Sequence, residues 1–120
     1  MIHHGDVDLS DDGPALDARW AGIDNNLCGC LPDSHDASRV AELFVRAGWR
    51  SRSSSWDAYE IETTWCRFEA EPIDGSATLL NGVIAPQRLD DLGALLTRFG
   101  LRFDLELYGD AGDLVREAKG

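Results

Sequence analysis

Apolar residues recur at helical spacing in two stretches of the chain. Val40, Leu43, Phe44 and Ala47 stand at i, i+3, i+4 and i+7, which predicts a helix over 37–47 with one apolar face. Asp36 precedes it as an N-cap whose carboxylate can accept from a free first-turn N–H. Gly48 suits the left-handed position that ends a helix. Leu89, Leu92, Leu95, Leu96 and Phe99 repeat in the same way, predicting a second helix over 87–99. Pro86 is tolerated in its first turn, and Gly100 ends it.

Between and after these stretches the period changes from helical to alternating. Tyr59 and Ile61 share one parity, whereas Cys66, Phe68 and Ala70 share the other. One long strand over 57–71 with a β-bulge near Thr63–Trp65 accounts for the switch. Pro72 to Gly75 supplies a turn. Residues 76–85 are apolar on both parities, which suits a central strand covered on both faces. Leu101, Phe103, Leu105 and Leu107 alternate with polar partners, so 101–108 reads as a half-buried strand. Gly109 to Gly112 then forms a hairpin turn, and 113–118 a short return strand. The polar run Arg50 to Ser55 reads as a loop or the start of an edge strand.

Residues 1–38 carry eight aspartates, one base (Arg19) and a high density of Gly, Pro and Asn. Turn formers at this density oppose a long helix. Residues 1–15 are expected to be flexible. Residues 16–36 are expected to dock on the body as an irregular or short-strand segment, through Leu16, Trp20, Ile23, Leu27 and Leu31. The whole chain, 1–120, is then a single domain. The predicted fold class is α+β: two helices packed on one face of a mostly antiparallel sheet of three to five strands. A ferredoxin-like split β-α-β arrangement fits if an early segment supplies the first strand.

Composition narrows the partners. Acids number 22 against 11 Lys and Arg, for a formal charge of −11. Such a surplus repels phosphate backbones and anionic membrane surfaces, so nucleic acid and membrane are not expected partners. A basic protein is favoured electrostatically. No apolar run is long enough to cross a bilayer, and the first residues lack the pattern of a secretory signal. Three cysteines, an odd number, suit reduced thiols in a cytoplasmic protein.

The chemistry-bearing residues are few. Cys28-Gly-Cys30, with His35 and Cys66, offers soft metal ligands or a redox pair. The one-residue spacing and lack of a second Cys pair favour small hydrophobes packed on the core instead. No metal and no cofactor are therefore expected. Glu60 and Glu62 share one strand face about 7 Å apart, as acid and base or as cation ligands, although alternating acids also describe any solvated strand face. Glu69 and Glu71 form a similar pair. Arg46, Arg50 and Arg52 lie near Trp49 and Trp56, a small basic–aromatic group best matched to the protein's own acids. Trp56 sits among polar residues after a serine run, where a core tryptophan is least expected. It is the first choice for an interface anchor, and Tyr108, beside the hairpin turn, is the second.

Three functions remain. The favoured one is a non-catalytic protein-binding module with a basic partner. In size and acidity the chain resembles bacterial immunity and inhibitor proteins that neutralise basic enzymes, a likeness of composition that covers no motif. The alternatives are a small enzyme or metal protein using Cys, His or Glu residues, and a homodimeric structural domain.

Overall fold

The computed structural model describes residues 13–73 and 76–120. The expected flexibility of residues 1–12 and the end of the turn at Asp74–Gly75 lie outside the described residues.

The described elements run α1 (Ala18–Ala21), β1 (Leu27–Leu31), α2 (Ala37–Arg46), β2 (Arg50–Ser53), β3 (Tyr59–Thr63), β4 (Cys66–Ile73), β5 (Ala77–Ile84), a 3-10 turn (Pro86–Arg88), α3 (Leu89–Arg98), β6 (Asp104–Tyr108) and β7 (Leu114–Lys119). The strands form one seven-stranded sheet in the order β2-β3-β4-β5-β1-β6-β7. Every neighbouring pair is antiparallel.

This overturns the expected sheet of three to five strands and the ferredoxin-like arrangement. Three local causes account for the difference. The parity switch at Thr63–Trp65 is a tight turn between two strands, with Thr63 paired to Cys66. A bulge in one strand and a two-residue hairpin both reverse parity, so alternation alone could not separate them. Arg50–Ser53 is an edge strand with almost no apolar content, paired to β3 from Arg50↔Glu62 to Ser53↔Tyr59. Cys28-Gly-Cys30 lies inside β1, the strand inserted between β5 and β6. A glycine between two cysteines lowers strand propensity, and the segment reads as a loop unless its neighbours are known.

β1 belongs in the sheet centre because of what its core face leaves room for. Leu27, Gly29 and Leu31 point to that face and are buried. A Cβ on Gly29 would lie 2.8 Å from Leu105 Cδ2 and 3.2 Å from the Asp104 carbonyl, so only glycine lets β6 approach this closely. Leu105 and Leu80 flank it in register. The thiols of Cys28 and Cys30 consequently point to the other face.

Both longer helices cover the core face. Val40, Ala41 and Phe44 of α2 and Leu89, Leu92 and Leu96 of α3 form one cluster with Leu27, Leu31, Ile61, Phe68, Leu80, Ile84, Leu105 and Leu107. Phe44 sits at the cluster's aromatic centre, edge-on to Trp49, Phe68 and Phe99 at 4.8, 5.4 and 5.0 Å between ring centroids. Such edge contacts add roughly 0.5–1.5 kcal/mol each beyond the burial itself. Asp36 caps α2 by accepting from Ser38 N–H at 3.1 Å. α3 crosses from β5 to β6, which run parallel with β1 between them. No helix among the described residues is long and apolar enough to cross a membrane.

Candidate functional site

The face opposite the helices is polar. Register places Arg50 and Arg52 of β2, Glu60 and Glu62 of β3, Arg67, Glu69 and Glu71 of β4, Asn81 of β5, Cys28 and Cys30 of β1, and Asp104 and Glu106 of β6 on it. Residues 13–26 lie along one end of this face. Leu16 N–H donates to Glu62 Oε2 at 2.7 Å, and Asp17 N–H to the Thr64 carbonyl at 2.9 Å.

The two glutamates weighed in the sequence therefore do different things. Glu62 is buried at 7% exposure and holds down the Leu16 segment. Glu60 faces Arg52, with Nε 3.6 Å from its Oε1, and stands directly opposite Glu69. Like charges opposed across a ladder repel. Ser54 Oγ relieves part of this by donating to Glu69 Oε2 at 2.6 Å.

The structure separates the cysteines. Cys66 faces the core and is fully buried, on the opposite side of the sheet from Cys28 and Cys30. His35 is exposed in the β1–α2 connection. These four side chains do not converge, and the described residues contain no group of three or more His, Cys, Asp or Glu placed to hold a metal. Burial pushes the Cys66 thiol far above its ordinary value. Partial burial, then the nearby Glu106 carboxylate and Cys30, also push Cys28 up. Raised thiols stay protonated and are poor nucleophiles and ligands. Cys28 and Cys30 are two residues apart on one strand, so their Cα atoms are about 6.7 Å apart, at the outer limit of disulfide geometry.

Tyr108 donates its hydroxyl proton to Glu106 Oε1 at 2.9 Å. That bond, together with the surrounding negative charge, raises the phenol above its usual value. Its ring lines a recess of about 830 Å³ at the end of β1 and β6. From the chain before β1 it is lined by Trp20, Gly22, Ile23, Asp24, Asn25 and Asn26, from the β6–β7 turn by Gly109, Asp110 and Gly112, and otherwise by Pro86, Leu107 and Val115.

Each lining segment has a local cause. Asp17 caps α1, accepting from Arg19 N–H at 3.0 Å, and this hydrogen bond holds its carboxyl below the ordinary carboxylate range. α1 stops after one turn at Gly22, and the chain descends to β1. Asn26 fastens the junction. Its side chain accepts from Ile84 N–H and donates to the Ile84 carbonyl, both at 2.9 Å. Its backbone donates to Gly82 O at 3.0 Å and accepts from Tyr108 N–H at 2.8 Å. After β6, Gly112 adopts φ 80°, which a side chain rarely tolerates, and closes the turn by donating to Gly109 O at 2.9 Å. Leu114 pairs with Tyr108 and Arg116 with Leu107, so Val115 is the extra residue of a bulge.

Trp56 stands elsewhere, in the β2–β3 turn, with 92% of its surface exposed. β2 and β7 are opposite edges of the sheet, six strand spacings of about 4.8 Å apart. Trp56 and the recess also lie at opposite strand ends, so no small contact spans both.

The recess was missed in the sequence except for Tyr108. Ile23, Asp24 and Val115 fall in a turn-rich segment and a bulge, where periodicity carries no signal. Compared with family models, curated proteins and solved structures, the chain matches none.

Proposed function

We propose that the chain is a non-catalytic, cytoplasmic protein-binding module whose partner is basic at the contact. The observation that supports this most is how the charges are spent. Arg19, Arg39, Arg46, Arg52, Arg88, Arg102, Arg116 and Lys119 each lie within ion-pair distance of an acid. Asp24, Glu71, Asp110, Asp113 and Glu117 have no such cation among the described residues. Part of the formal charge of −11 is thus carried by these unpaired carboxylates, and Ile23, Trp56, Leu114 and Val115 are large apolar residues left exposed. Carboxylates steer a basic partner, and apolar groups hold it once docked.

Affinity capture from the native lysate, followed by a salt titration of the purified pair, tests this. The reading expects a basic partner whose association slows several-fold between 0.05 and 0.5 M salt. An acidic partner, a nucleic acid, or association indifferent to salt would overturn it.

Self-association through a sheet edge is less favoured by the observed strands. A two-fold axis normal to the sheet pairs residues of equal parity. Antiparallel self-pairing of β7 centred on Arg116 opposes Arg116 to itself, and centring on Glu117 opposes that acid to itself. Centring β2 on Ser51 opposes Arg50 to Arg52. Like charges directly opposed destabilise these registers, and on β7 a register centred on Ala118 is the one that opposes Glu117 to Lys119.

A further inference from the structure

We infer that the recess between Ile23 and Val115 is the docking site, and that its occupant is a partner segment carrying one large apolar side chain flanked by Lys or Arg. This rests on the protein-binding reading above and deepens it. Concavity separates the recess from Trp56. Binding hot spots sit in pockets that exclude water, and Trp56 projects from a turn at 92% exposure with no wall around it.

Shape and charge then specify the occupant. Ile23 and Val115 stay 39% and 53% exposed and both line a recess about 830 Å³ in volume, large enough for a Leu, Phe or Trp side chain with its backbone. Trp20 and Pro86 extend the apolar lining. Both charged residues that line the recess are acids, Asp24 and Asp110, and the cation Arg19 stands beside the lining, over the Trp20 ring at 5.6 Å. The arginines nearest in the chain are already engaged. Arg19 pairs with Asp17 at 3.5 Å and Arg116 with Asp90 at 2.7 Å. An apolar side chain entering with a cation on either side would bury Ile23 and Val115 and meet both free carboxylates. A second copy of this acidic chain would bring like charge to the same rim.

The test uses the full chain and synthetic twelve-residue peptides. One series has a central Leu, Phe or Trp between pairs of Arg. Matched series replace Arg by Glu or by Gln, and a fourth keeps Arg but replaces the central residue by Gly. Binding is read from amide and methyl shifts in NMR spectra. The inference expects the Arg-apolar series to shift Ile23, Val115 and the Trp20 indole, with the Glu series at least tenfold weaker. Asp24→Lys with Asp110→Lys should weaken binding at least tenfold at 0.05 M salt and much less at 0.5 M. Ile23→Ser should weaken it about tenfold at either salt. Both changes are at exposed positions, and unchanged circular dichroism verifies the fold.

Peptides that bind but shift Trp56 or the polar sheet face would overturn the recess while leaving the protein-binding reading intact. Equal binding of the Gln, Glu and Arg series, or of the Gly series, would overturn the stated chemistry. The same shifts appearing on concentrating the protein alone would make a second copy the occupant and overturn the inference. No binding by any series would also overturn it, and failure of lysate capture as well would remove the underlying reading.

Discussion

At the scale of single residues, two glycines show how closely the strands approach. Gly29 explains why the most unusual local motif, Cys28-Gly-Cys30, is a packing feature: its missing Cβ admits Leu105. Gly82 is tighter, since a Cβ there would overlap the Arg67 carbonyl and lie 2.6 Å from Phe68 Cα. Backbone cannot yield as a side-chain tip can. Gly82→Ala should therefore cost roughly 2–3 kcal/mol in urea unfolding, more than Gly29→Ala, where a Leu105 methyl can move. Cys66 makes a different prediction. Its folded-state thiol is raised above the ordinary 9.0, so above that pH the unfolded chain sheds a proton that the folded chain keeps. Stability is then unaffected below about pH 8 and falls as pH rises past 9, by about 1.4 kcal/mol per pH unit from this group. Comparing the alkaline limb of unfolding with that of Cys66→Ala isolates the effect, because the variant should lose that part of the slope. Equal slopes would show that burial is not what sets it.

At the scale of elements, legibility followed contrast in side-chain polarity. α2 and α3 fall within a residue or two of the periodic stretches at Val40–Ala47 and Leu89–Phe99, because each buries one stripe and exposes the rest. β6 was visible by its alternation, and β5 as an apolar run on both parities, with residues buried on both faces. β1 and β2 read equally as strand or irregular chain, and the β3–β4 hairpin as one bulged strand. β2 is Arg-Ser-Arg-Ser, with only Ser51 buried, and its identity as a strand comes from pairing with β3. The candidate site was still less legible, since Ile23, Asp24 and Val115 meet only through tertiary structure. Local devices were read directly: Gly48 and Gly100, which end the helices at φ 99° and 78°, and the cap on α2. Asp36 Oδ1 takes both Ser38 N–H and Ser38 Oγ. Asp36→Ala should lower stability by about 1 kcal/mol, measured as a shifted denaturation midpoint with unchanged slope, and Asp36→Asn should recover most of it.

At the scale of the whole molecule, a charge of −11 sets the response to salt. The ion pairs are exposed, with side chains such as Arg102 and Asp33 at 70% and 63%, and exposed pairs contribute about 0–1 kcal/mol each. Screening them loses little, whereas screening general repulsion among surplus carboxylates favours the compact state. The thermal midpoint should rise by a few degrees between 0.01 and 0.3 M sodium chloride, and a fall would mean that the ion pairs outweigh the repulsion. The position of β1 has a consequence for how the molecule is made. Leu27 pairs with Gly82 on one side and with Leu107 on the other, so an early strand waits for two late ones. A chain leaving the ribosome can close the hairpins of β2 to β5 as they emerge. Both backbone edges of the Cys-Gly-Cys strand are satisfied only when β6 has also cleared the exit tunnel. Closing so long a loop is entropically slow, and the sheet centre closes after the hairpins of β2 to β5 rather than with them.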